Sequence, residues 1–510
     1  MRTILILLDS LNRRFLRCYG ANRPAFTPSI DRLASRSAVF DNHYCGSSPC
    51  MPARRDLMTG RLNFLERPWG GIEAFDHTLP SILKSYGVFS CIITDHYHYA
   101  EAGGENYFHN FSSWRLIRGQ EHDVVFHSPG PHGLITPPFS ASSSRFFIPT
   151  SYAQCRRHFQ AAEDYPTPRT FTDAARWLEE NHSSDHFFLW VEGFDPHEPF
   201  DVPQEYLDIY HDDYKGPLLF WPKYSTTEQY TPDEIQHLRR RYLATLTMAD
   251  TFLGRLLDVL DRHHMWEDTQ VIFTTDHGYM LGEHGFWAKN YTPDYHEIFH
   301  IPLLIHQPGQ KEPFHISGLT QNIDLFPTIL ESFQIPLSAC RNPLHGRSLL
   351  PLLRQESVHV RHAILFGQFG KTVNLTDGRY TYFRQAVRQD NQPLFLYTSM
   401  PTCRLQYLGW EGMDPRDFSH ITLSHMSWHP FPVYRFPANL IRFQSKSQSF
   451  QVRNPYVTGN WLFDNVSDYA QEHPICDPSL EAHYTQLMQQ LMQQHDAPEE
   501  QYVRLGLSPL

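Results

Sequence analysis

The fold follows from the stretch Arg2-Thr3-Ile4-Leu5-Ile6-Leu7-Leu8-Asp9. Its uninterrupted apolar run meets an acid at once, which is typical of a strand buried on both faces of a parallel sheet. The run is too short for a membrane helix and lacks a small-residue cleavage site, so we do not expect a signal peptide. It predicts an interior strand whose carboxyl end carries a functional acid, Asp9.

Similar strand-like runs alternate with helical patterns through the first two-thirds of the chain. Strands are predicted at residues 4–8, 89–93, 187–191, 271–275 and 303–305. Helices are predicted near residues 29–35, 79–85, 172–181 and 233–262. This alternation predicts an α/β fold in which helices sandwich a large, mostly parallel sheet.

The pattern changes to shorter segments from about residue 366. Asp377-Gly378 separates two alternating runs there, which predicts a hairpin. With 510 residues, the chain also exceeds the usual size of a single core. We therefore predict a catalytic domain over residues 1–365 and a smaller α+β domain over residues 366–510, with antiparallel strands and a terminal helix near 480–494.

Composition limits the classes of partner. A net charge of −12 argues against nucleic acid as the main partner. No apolar stretch approaches the roughly 18 residues of a membrane span, and the eight cysteines form no CxxC pair. We therefore expect a cytoplasmic protein in a reducing compartment, with neither a nucleic acid nor a membrane as partner. A homo-oligomer is left open.

Polar residues follow four of the predicted strands. They are Asp9, Thr94-Asp95-His96, Asp195-Pro196-His197 and Asp276-His277-Gly278. Because ligand sites of such sheets collect at the carboxyl ends of the strands, we expect these groups to converge on one rim.

The most informative segment for function is Cys50-Met51-Pro52-Ala53-Arg54-Arg55-Asp56-Leu57-Met58-Thr59-Gly60-Arg61. Its spacing of cysteine, proline, arginine and a Thr-Gly-Arg turn resembles the sulfatase signature CxPxR…TGR. The upstream Thr27-Pro28-Ser29-Ile30-Asp31-Arg32-Leu33-Ala34 is similar to the TPNIDRLA helix of that family. The chain thus resembles the formylglycine-dependent type I sulfatases and the phosphonate monoester hydrolases of the alkaline phosphatase superfamily, and the resemblance implies their fold.

Further segments extend the resemblance, in family order, over roughly residues 3 to 470. They are Asp195–Pro199 (the family's PHxP), His284–Lys289 (HGLWxK), Asn322–Leu330 (DLxPTLL), Gly346–Leu350 (GRSLLP) and Trp461–Asn465 (LYDL). Arg55, by contrast, is expected to be an ordinary residue on a helix surface.

The resemblance implies that a maturating enzyme oxidises Cys50 to formylglycine. One hydroxyl of the aldehyde hydrate would attack sulfur, and the other would regenerate the aldehyde as sulfate leaves. The implied ligands of one divalent metal ion are Asp9, Cys50, Asp276 and His277, and Ser10 stands where many relatives carry a further acid. Carboxylate ligands favour calcium, with manganese, zinc and magnesium as alternatives.

The remaining site residues follow from the same matches. Arg54 would stabilise negative charge beside the aldehyde. Lys289 would bind a sulfuryl oxygen or protonate the leaving group, and His197 would act as the leaving-group acid. His98 matches the histidine of a Lys-Trp-His segment, with His96 in place of the lysine as a ligand of anionic oxygen. Arg54, His96, His197 and Lys289 are thus the candidates for substrate binding, and His98 joins the catalytic group.

Three functions are compatible with these residues. The leading hypothesis is hydrolysis of a small anionic sulfate ester after maturation by a formylglycine-generating or anaerobic sulfatase-maturating enzyme. The first alternative is a phosphonate monoester or phosphodiester hydrolase, which Ala53 and His277 resemble. The second is an inactive, sulfatase-like binding protein with unmodified Cys50. The sequence does not choose among sugar, aryl, steroid and choline sulfates, which loops such as 100–165 and 400–460 would distinguish.

Overall fold

The first strand, Arg2–Leu8, lies inside an eight-stranded sheet in the computed structural model. The structure describes residues 1–101, 103–126, 150–400, 419–440 and 453–510. Parts of the two loops predicted to distinguish substrates therefore lie outside the described residues.

The strands of the described residues are, in chain order, β1 (Arg2–Leu8), β2 (Ala38–Phe40), β3 (His43–Tyr44), β4 (Ser47–Ser48), β5 (Phe89–Thr94), β6 (Ser113–Leu116), β7 (Phe187–Gly193), β8 (Thr269–Thr274), β9 (Met280–Leu281), β10 (Trp287–Ala288), β11 (Leu303–His306), β12 (Phe314–Ile316), β13 (Thr320–Gln321), β14 (Ile364–Gln368), β15 (Val373–Thr376), β16 (Tyr380–Arg384), β17 (Phe395–Thr398), β18 (Thr422–Met426), β19 (His429–Pro437) and β20 (Trp461–Asp464).

The α-helices of the same residues are α1 (Pro28–Ala34), α2 (Cys50–Thr59), α3 (Leu79–Ser85), α4 (Thr150–Arg156), α5 (Pro166–Asn181), α6 (Gln204–Asp208), α7 (Pro232–Arg262), α8 (His296–Phe299), α9 (Leu325–Ser332), α10 (Leu350–Leu353), α11 (Pro478–Gln494) and α12 (Glu499–Arg504).

The large sheet has the strand order β12-β2-β11-β8-β1-β7-β5-β6. Its strands run in one direction except β11, which is antiparallel to both β8 and β2. The five strands β8-β1-β7-β5-β6 therefore end at the same edge of the sheet. The prediction of a mostly parallel sheet is confirmed.

Both faces of β1 are buried, because successive side chains point to opposite sides of a strand. Ile4 and Ile6 pack into a core with residues of α5 and α7, whereas Leu5 and Leu7 pack into a second core with residues of α2, α3 and α9. Burial of each such side chain contributes about 1.5–3 kcal/mol. An uninterrupted apolar run is what a strand covered by helices on both sides requires.

A smaller sheet has the order β20-β16-β15-β14-β4, and each of the strands β14, β15, β16 and β20 from the second part of the chain is antiparallel to its neighbour among them. The predicted hairpin turn forms at Asp377-Gly378, where Gly378 has a φ of 93°. The helix predicted near 480–494 is α11, and the short helix α12 follows it. A smaller antiparallel region is therefore confirmed, whereas the division at residues 365/366 stays a prediction.

The segment before Cys50 joins the two parts of the chain. Its strand β4 pairs in parallel with β14 of the smaller sheet. The following helix α2 contacts β4 of the smaller sheet. It also contacts α3 and α9, which pack against one face of the large sheet. The cysteine segment is thus held between the large and the small sheet.

The prediction for Arg55 is wrong. Its side chain is fully buried and donates hydrogen bonds to Asn63 Oδ1 at 2.7 Å and to the carbonyl oxygens of Pro68 and Gly70 at 3.2 and 2.8 Å. The reason is that every residue of α2 is buried, so this helix has no solvent face.

No helix of the described part of the chain is both long and apolar enough to cross a membrane.

Asp324, from the DLxPTLL-like segment, is a buried acid that links three segments of the chain. It accepts hydrogen bonds from the amides of Gln321 and Arg347, both at 2.8 Å, and pairs with the Arg361 guanidinium. We expect Asp324→Asn to destabilise the protein by about 3–5 kcal/mol, because Arg361 would stay buried without its counter-charge. Thermal unfolding should show a lower midpoint, and Glu312→Gln at an exposed position is the matched control. An unchanged midpoint for Asp324→Asn would contradict this account.

Candidate active site

Three carboxylates meet at the carboxyl edge of the large sheet. Asp9 follows β1, Glu192 is the penultimate residue of β7, and Asp276 follows β8. The guanidinium of Arg54 lies among them, with Nη2 2.8 Å from Asp9 Oδ2, Nη1 2.6 Å from Asp276 Oδ2 and Nε 2.5 Å from Glu192 Oε1. All four side chains are fully buried. The predicted convergence of the strand ends is therefore observed for Asp9 and Asp276.

Helix α2 explains the position of Arg54. Cys50 begins this helix, and residues four apart on a helix lie on the same face. Arg54 Nη1 also donates to the carbonyl oxygen of Cys50 at 3.1 Å. Burial alone would lower the pKa of Arg54, but Glu192, Asp276 and Asp9 outweigh burial and raise it well above its ordinary value. Arg54 therefore keeps its charge and ties Cys50 to the acidic cluster.

Glu192 is a site residue that the sequence reasoning missed. Its signal is an acid within the otherwise apolar strand β7. Besides Arg54, it accepts a hydrogen bond from Thr94 Oγ1 at 3.2 Å. Burial raises the pKa of Glu192 to about 7, although Arg54 opposes this shift.

The predicted metal ligands lie together. One donor atom from each of Asp9, Cys50, Asp276 and His277 falls within 4.8 Å of the others, and Cys50 Sγ is 3.2 Å from His277 Nε2. His277 Nδ1 is 2.8 Å from the carbonyl oxygen of Gly278, which assigns the proton to Nδ1 and leaves the Nε2 lone pair facing Cys50. Burial lowers the pKa of His277 and so favours this neutral form. Two carboxylates and a neutral imidazole form a donor set that fits a divalent cation.

Ser10, the uncertain ligand, connects these acids to Lys289. Its hydroxyl lies 2.7 Å from Asp9 Oδ1 and accepts a hydrogen bond from Lys289 Nζ, also at 2.7 Å. Its amide donates to Asp276 Oδ1 at 3.0 Å, and its φ of 62° is in the left-handed region. Such a backbone conformation in a non-glycine residue is costly and is maintained by these three contacts.

The two candidate histidines after β5 have different surroundings. His96 is fully buried, with Nδ1 3.5 Å from Asp9 Oδ2, and burial lowers its pKa well below the ordinary value. His98 Nδ1 is 3.1 Å from Glu101 Oε1, and His98 Nε2 is 3.4 Å from Glu121 Oε2. Burial alone would lower the pKa of His98, but Glu101 and Glu121 raise it above its ordinary value. Of the two, His98 is the histidine that favours the charged form.

His197 and Lys289 lie on the side of the site that faces a cavity. Nδ1 of His197 is 2.6 Å from the carbonyl oxygen of Glu198. Burial, followed by the charge of Lys289, lowers the pKa of His197 well below its ordinary value. The pKa of Lys289 is raised, because Cys50 and Asp9 outweigh the opposing effect of burial.

The cavity has a volume of about 360 Å³. Of the predicted site residues, Cys50, His98, His197 and Lys289 line it. Asp9, Arg54, His96, Asp276 and His277 are fully buried and do not line it. The sequence reasoning did not single out the acidic and aromatic part of the wall, which comprises Glu101, Glu121, Glu198, Trp69, Trp221, Tyr224 and Phe369.

Comparison with known proteins agrees with this geometry. The family model described as Sulfatase matches residues 2–335, and the model described as N-sulphoglucosamine sulphohydrolase, C-terminal, matches residues 282–389. Because the first match spans more than half of the chain, the chain belongs to the sulfatase family. It is accordingly a hydrolase of the sulfuric ester class, as predicted.

Its relatives are distant but align over most of their length. A choline-sulfatase of Rhizobium meliloti is 24% identical over 77% of this chain and 79% of its own. Human iduronate 2-sulfatase is 26% identical over 82% of this chain and 86% of its own. The crystal structure of a phosphonate monoester hydrolase of Agrobacterium radiobacter superimposes with a TM-score of 0.64 at 17% identity, covering 97% of this chain and 96% of that one. The alkaline phosphatase-like fold is thereby confirmed.

The environment of the Cys50 thiol can be tested without measuring enzyme activity. Its side chain is 1% exposed, and burial together with Asp9 raises its pKa well above the ordinary value. We expect the unmodified thiol to react far more slowly with iodoacetamide at pH 8 than that of exposed Cys476, because the thiolate is the reacting form. Peptide mass spectrometry before and after denaturation measures both sites. Equal labelling in the folded protein would contradict the described environment.

Proposed function

We propose that this protein hydrolyses a small sulfate ester, with formylglycine formed from Cys50 as nucleophile and one divalent cation. The observation that carries the proposal is the position of Cys50. It begins helix α2, lines the cavity, and lies within 4.8 Å of donor atoms of Asp9, Asp276 and His277. A nucleophile, a cation-binding donor set and a substrate-sized space therefore coincide.

The cation would be held by Asp9, Asp276 and His277, together with the modified residue 50. When bound, it would supply positive charge that polarises an anionic ester and stabilises charge developing on oxygen. Calcium is our first candidate because of the two carboxylates, and the imidazole of His277 also suits manganese or zinc. Magnesium remains a further alternative.

Lys289 would bind a sulfuryl oxygen from the cavity side. Its ammonium group is anchored by Ser10 Oγ at 2.7 Å and lies 3.8 Å from Asp9 Oδ1. These contacts fix its position, and the neighbouring carboxylate of Asp9 favours the charged form of the ammonium group that a sulfate requires. The anchored ammonium can thus orient an anionic ester towards residue 50.

His197 would donate the proton to the leaving alcohol. Because its Nδ1 lies at hydrogen-bond distance from the carbonyl of Glu198, Nε2 is the nitrogen available to exchange a proton. The charge of Lys289 contributes to the low pKa of His197. An anionic ester would offset that charge on binding and so favour the protonated form that acts as an acid.

Arg54 and His96 would act mainly as positioning residues. Arg54 directs its donors to three carboxylates and the Cys50 carbonyl, while His96 lies against Asp9. Their charge and packing would therefore hold the cation ligands and residue 50 in place. His98 lines the cavity, and the nearby Glu101 and Glu121 favour its charged form.

Hydrolysis of a phosphonate monoester or phosphodiester is the second candidate. It is favoured by the structural similarity to the phosphonate monoester hydrolase of Agrobacterium radiobacter and by Ala53 and His277. The same donor set suits tetrahedral sulfur and phosphorus alike. Formation of the nucleophile would in either case require a formylglycine-generating or anaerobic maturating enzyme as partner.

We expect Cys50→Ala to lower kcat by about 10³-fold or more while leaving the unfolding midpoint close to that of the wild type, because only the nucleophile is removed. Turnover of an aryl sulfate measures the first effect. Peptide mass spectrometry across residue 50, on protein from its native host, should show formylglycine. Retained turnover would exclude the nucleophile, and finding only cysteine would favour an inactive binding protein.

Matched p-nitrophenyl sulfate and p-nitrophenyl phenylphosphonate distinguish sulfur from phosphorus. We expect kcat/KM to be higher for the sulfate ester, because the chain belongs to the sulfatase family. Both esters release the same phenolate, so leaving-group reactivity is controlled. A strong preference for the phosphonate would replace the leading proposal by the second candidate.

A further inference from the structure

The cavity that contains Cys50 and Lys289 is also lined by three carboxylates. These belong to Glu101, Glu121 and Glu198, and the last two are 6% and 1% exposed. A pocket that bound only an anion would place cations around it, whereas this wall carries, among the described residues, three acids beside its two lysines and three histidines. The part of the substrate beyond the sulfate group therefore meets a different charge from the sulfate itself.

Neither Glu121 nor Glu198 pairs with a lysine or arginine of the described residues, although imidazoles lie beside both. Glu121 lies between imidazoles, with Oε2 3.4 Å from His98 Nε2 and Oε1 3.5 Å from His197 Nδ1. Oε2 of buried Glu198 has no donor in hydrogen-bond geometry, although His197 Nδ1 is 3.4 Å away and the phenols of Tyr224 and Tyr279 face this carboxylate. Within the described residues, no lysine or arginine nitrogen lies within 4.0 Å of either acid.

The nearest contacts of the two lysines of the wall are with other groups. Lys289 is anchored on Ser10 and lies 3.8 Å from Asp9, and Asp294 is the acid that faces Lys371. The charge of Lys289 acts on both Glu121 and Glu198, but burial dominates in each: it raises the pKa of Glu121 to about 8 and that of Glu198 above its ordinary value. A positive charge entering beside Glu121 would favour its ionised form, whereas a second negative charge would be repelled.

Aromatic side chains complete the wall beside these acids. They are Trp69, Trp221, Tyr224 and Phe369. Aromatic faces attract organic cations, and this attraction strengthens where water is excluded. Acids and aromatic rings together form the surroundings that suit a positively charged nitrogen.

Resting on the proposed sulfatase activity, we propose that the substrate is a zwitterionic sulfate ester whose alcohol part carries an ammonium group. Lys289 faces its sulfate, and Glu121 and Glu198, with Glu101 nearby, face its ammonium. Sulfate esters of uronic acids or of polyanionic chains place negative charge against this wall and are poor substrates.

A matched set of esters tests the charge directly. Choline sulfate and its neutral isostere 3,3-dimethylbutyl sulfate have the same shape, 2-aminoethyl sulfate separates a primary amine from a quaternary ammonium, and 3-sulfooxypropanoate carries an anion. We expect kcat/KM for the better cationic ester to exceed that of the neutral isostere by about tenfold or more, with the anionic ester lowest. Equal values, or a preference for the neutral or anionic ester, overturn the proposal.

Variants of the wall show whether its acids cause the preference. In Glu121→Gln and Glu198→Gln the ratio of kcat/KM for the cationic and neutral esters should fall towards one, while Glu205→Gln at an exposed position keeps the wild-type ratio. If the glutamine variants instead lower both values equally and shift the pH profile, the acids serve His98 and His197 rather than the substrate. That result would also overturn the proposal.

A binding measurement separates this inference from the proposed activity. Calorimetric titration of Cys50→Ala protein with choline and with 3,3-dimethylbutan-1-ol requires neither formylglycine nor turnover. Preferential binding of choline that Glu121→Gln removes supports the cation site even if no sulfate ester is hydrolysed. Turnover of sulfate esters without any preference for choline or its ester leaves the activity in place and excludes the cation site.

Discussion

The guanidinium of Arg54 among Asp9, Glu192 and Asp276 is the interaction on which the rest of the site depends. Three carboxylates at the ends of neighbouring strands repel one another, and burial makes that repulsion costly. The guanidinium of Arg54 offsets this repulsion, because it is permanently charged and planar and its five N–H groups can donate hydrogen bonds to all three acids. Loss of one partner from such a buried cluster typically costs about 3–5 kcal/mol.

This cluster also determines where the nucleophile stands. Arg54 is one helical turn beyond Cys50, so fixing the guanidinium against the strand ends fixes the start of helix α2. The preceding segment is fixed independently, since Asp56 accepts the amide of Ser47 at 2.7 Å and Asn322 accepts that of Gly46 at 3.0 Å. A Cβ at Gly46 would lie 2.4 Å from Leu62 Cδ2 and 2.6 Å from Asp56 Oδ2, so a side chain there would displace the carboxylate that holds Ser47. Cys50 is thereby held from both sides.

The chemistry and the specificity of the site are carried by different elements. The ends of β1, β7 and β8 and the start of α2 supply the charged centre, whereas the cavity wall comes from loops and from the second part of the chain, such as Phe369. A shared fold can therefore serve different substrates, because loops vary more freely than strands buried in a sheet. Glu121, whose φ of 41° is in the left-handed region, is an example of a loop residue that faces this cavity.

The sequence by itself determined the features that depend on local pattern. Apolar runs predicted β1, β5, β7 and β8, whose carboxyl ends locate Asp9 and Asp276, and the spacing around Cys50 predicted the family. Only the tertiary structure decided that Arg55 is buried, that Glu192 completes the charged cluster, and that Glu121 and Glu198 face the cavity. The reason is distance along the chain: Arg54 and Glu192 are 138 residues apart, and no local periodicity encodes such a contact. Local pattern specifies which face of an element is apolar, whereas packing of distant elements decides which charges must neutralise one another.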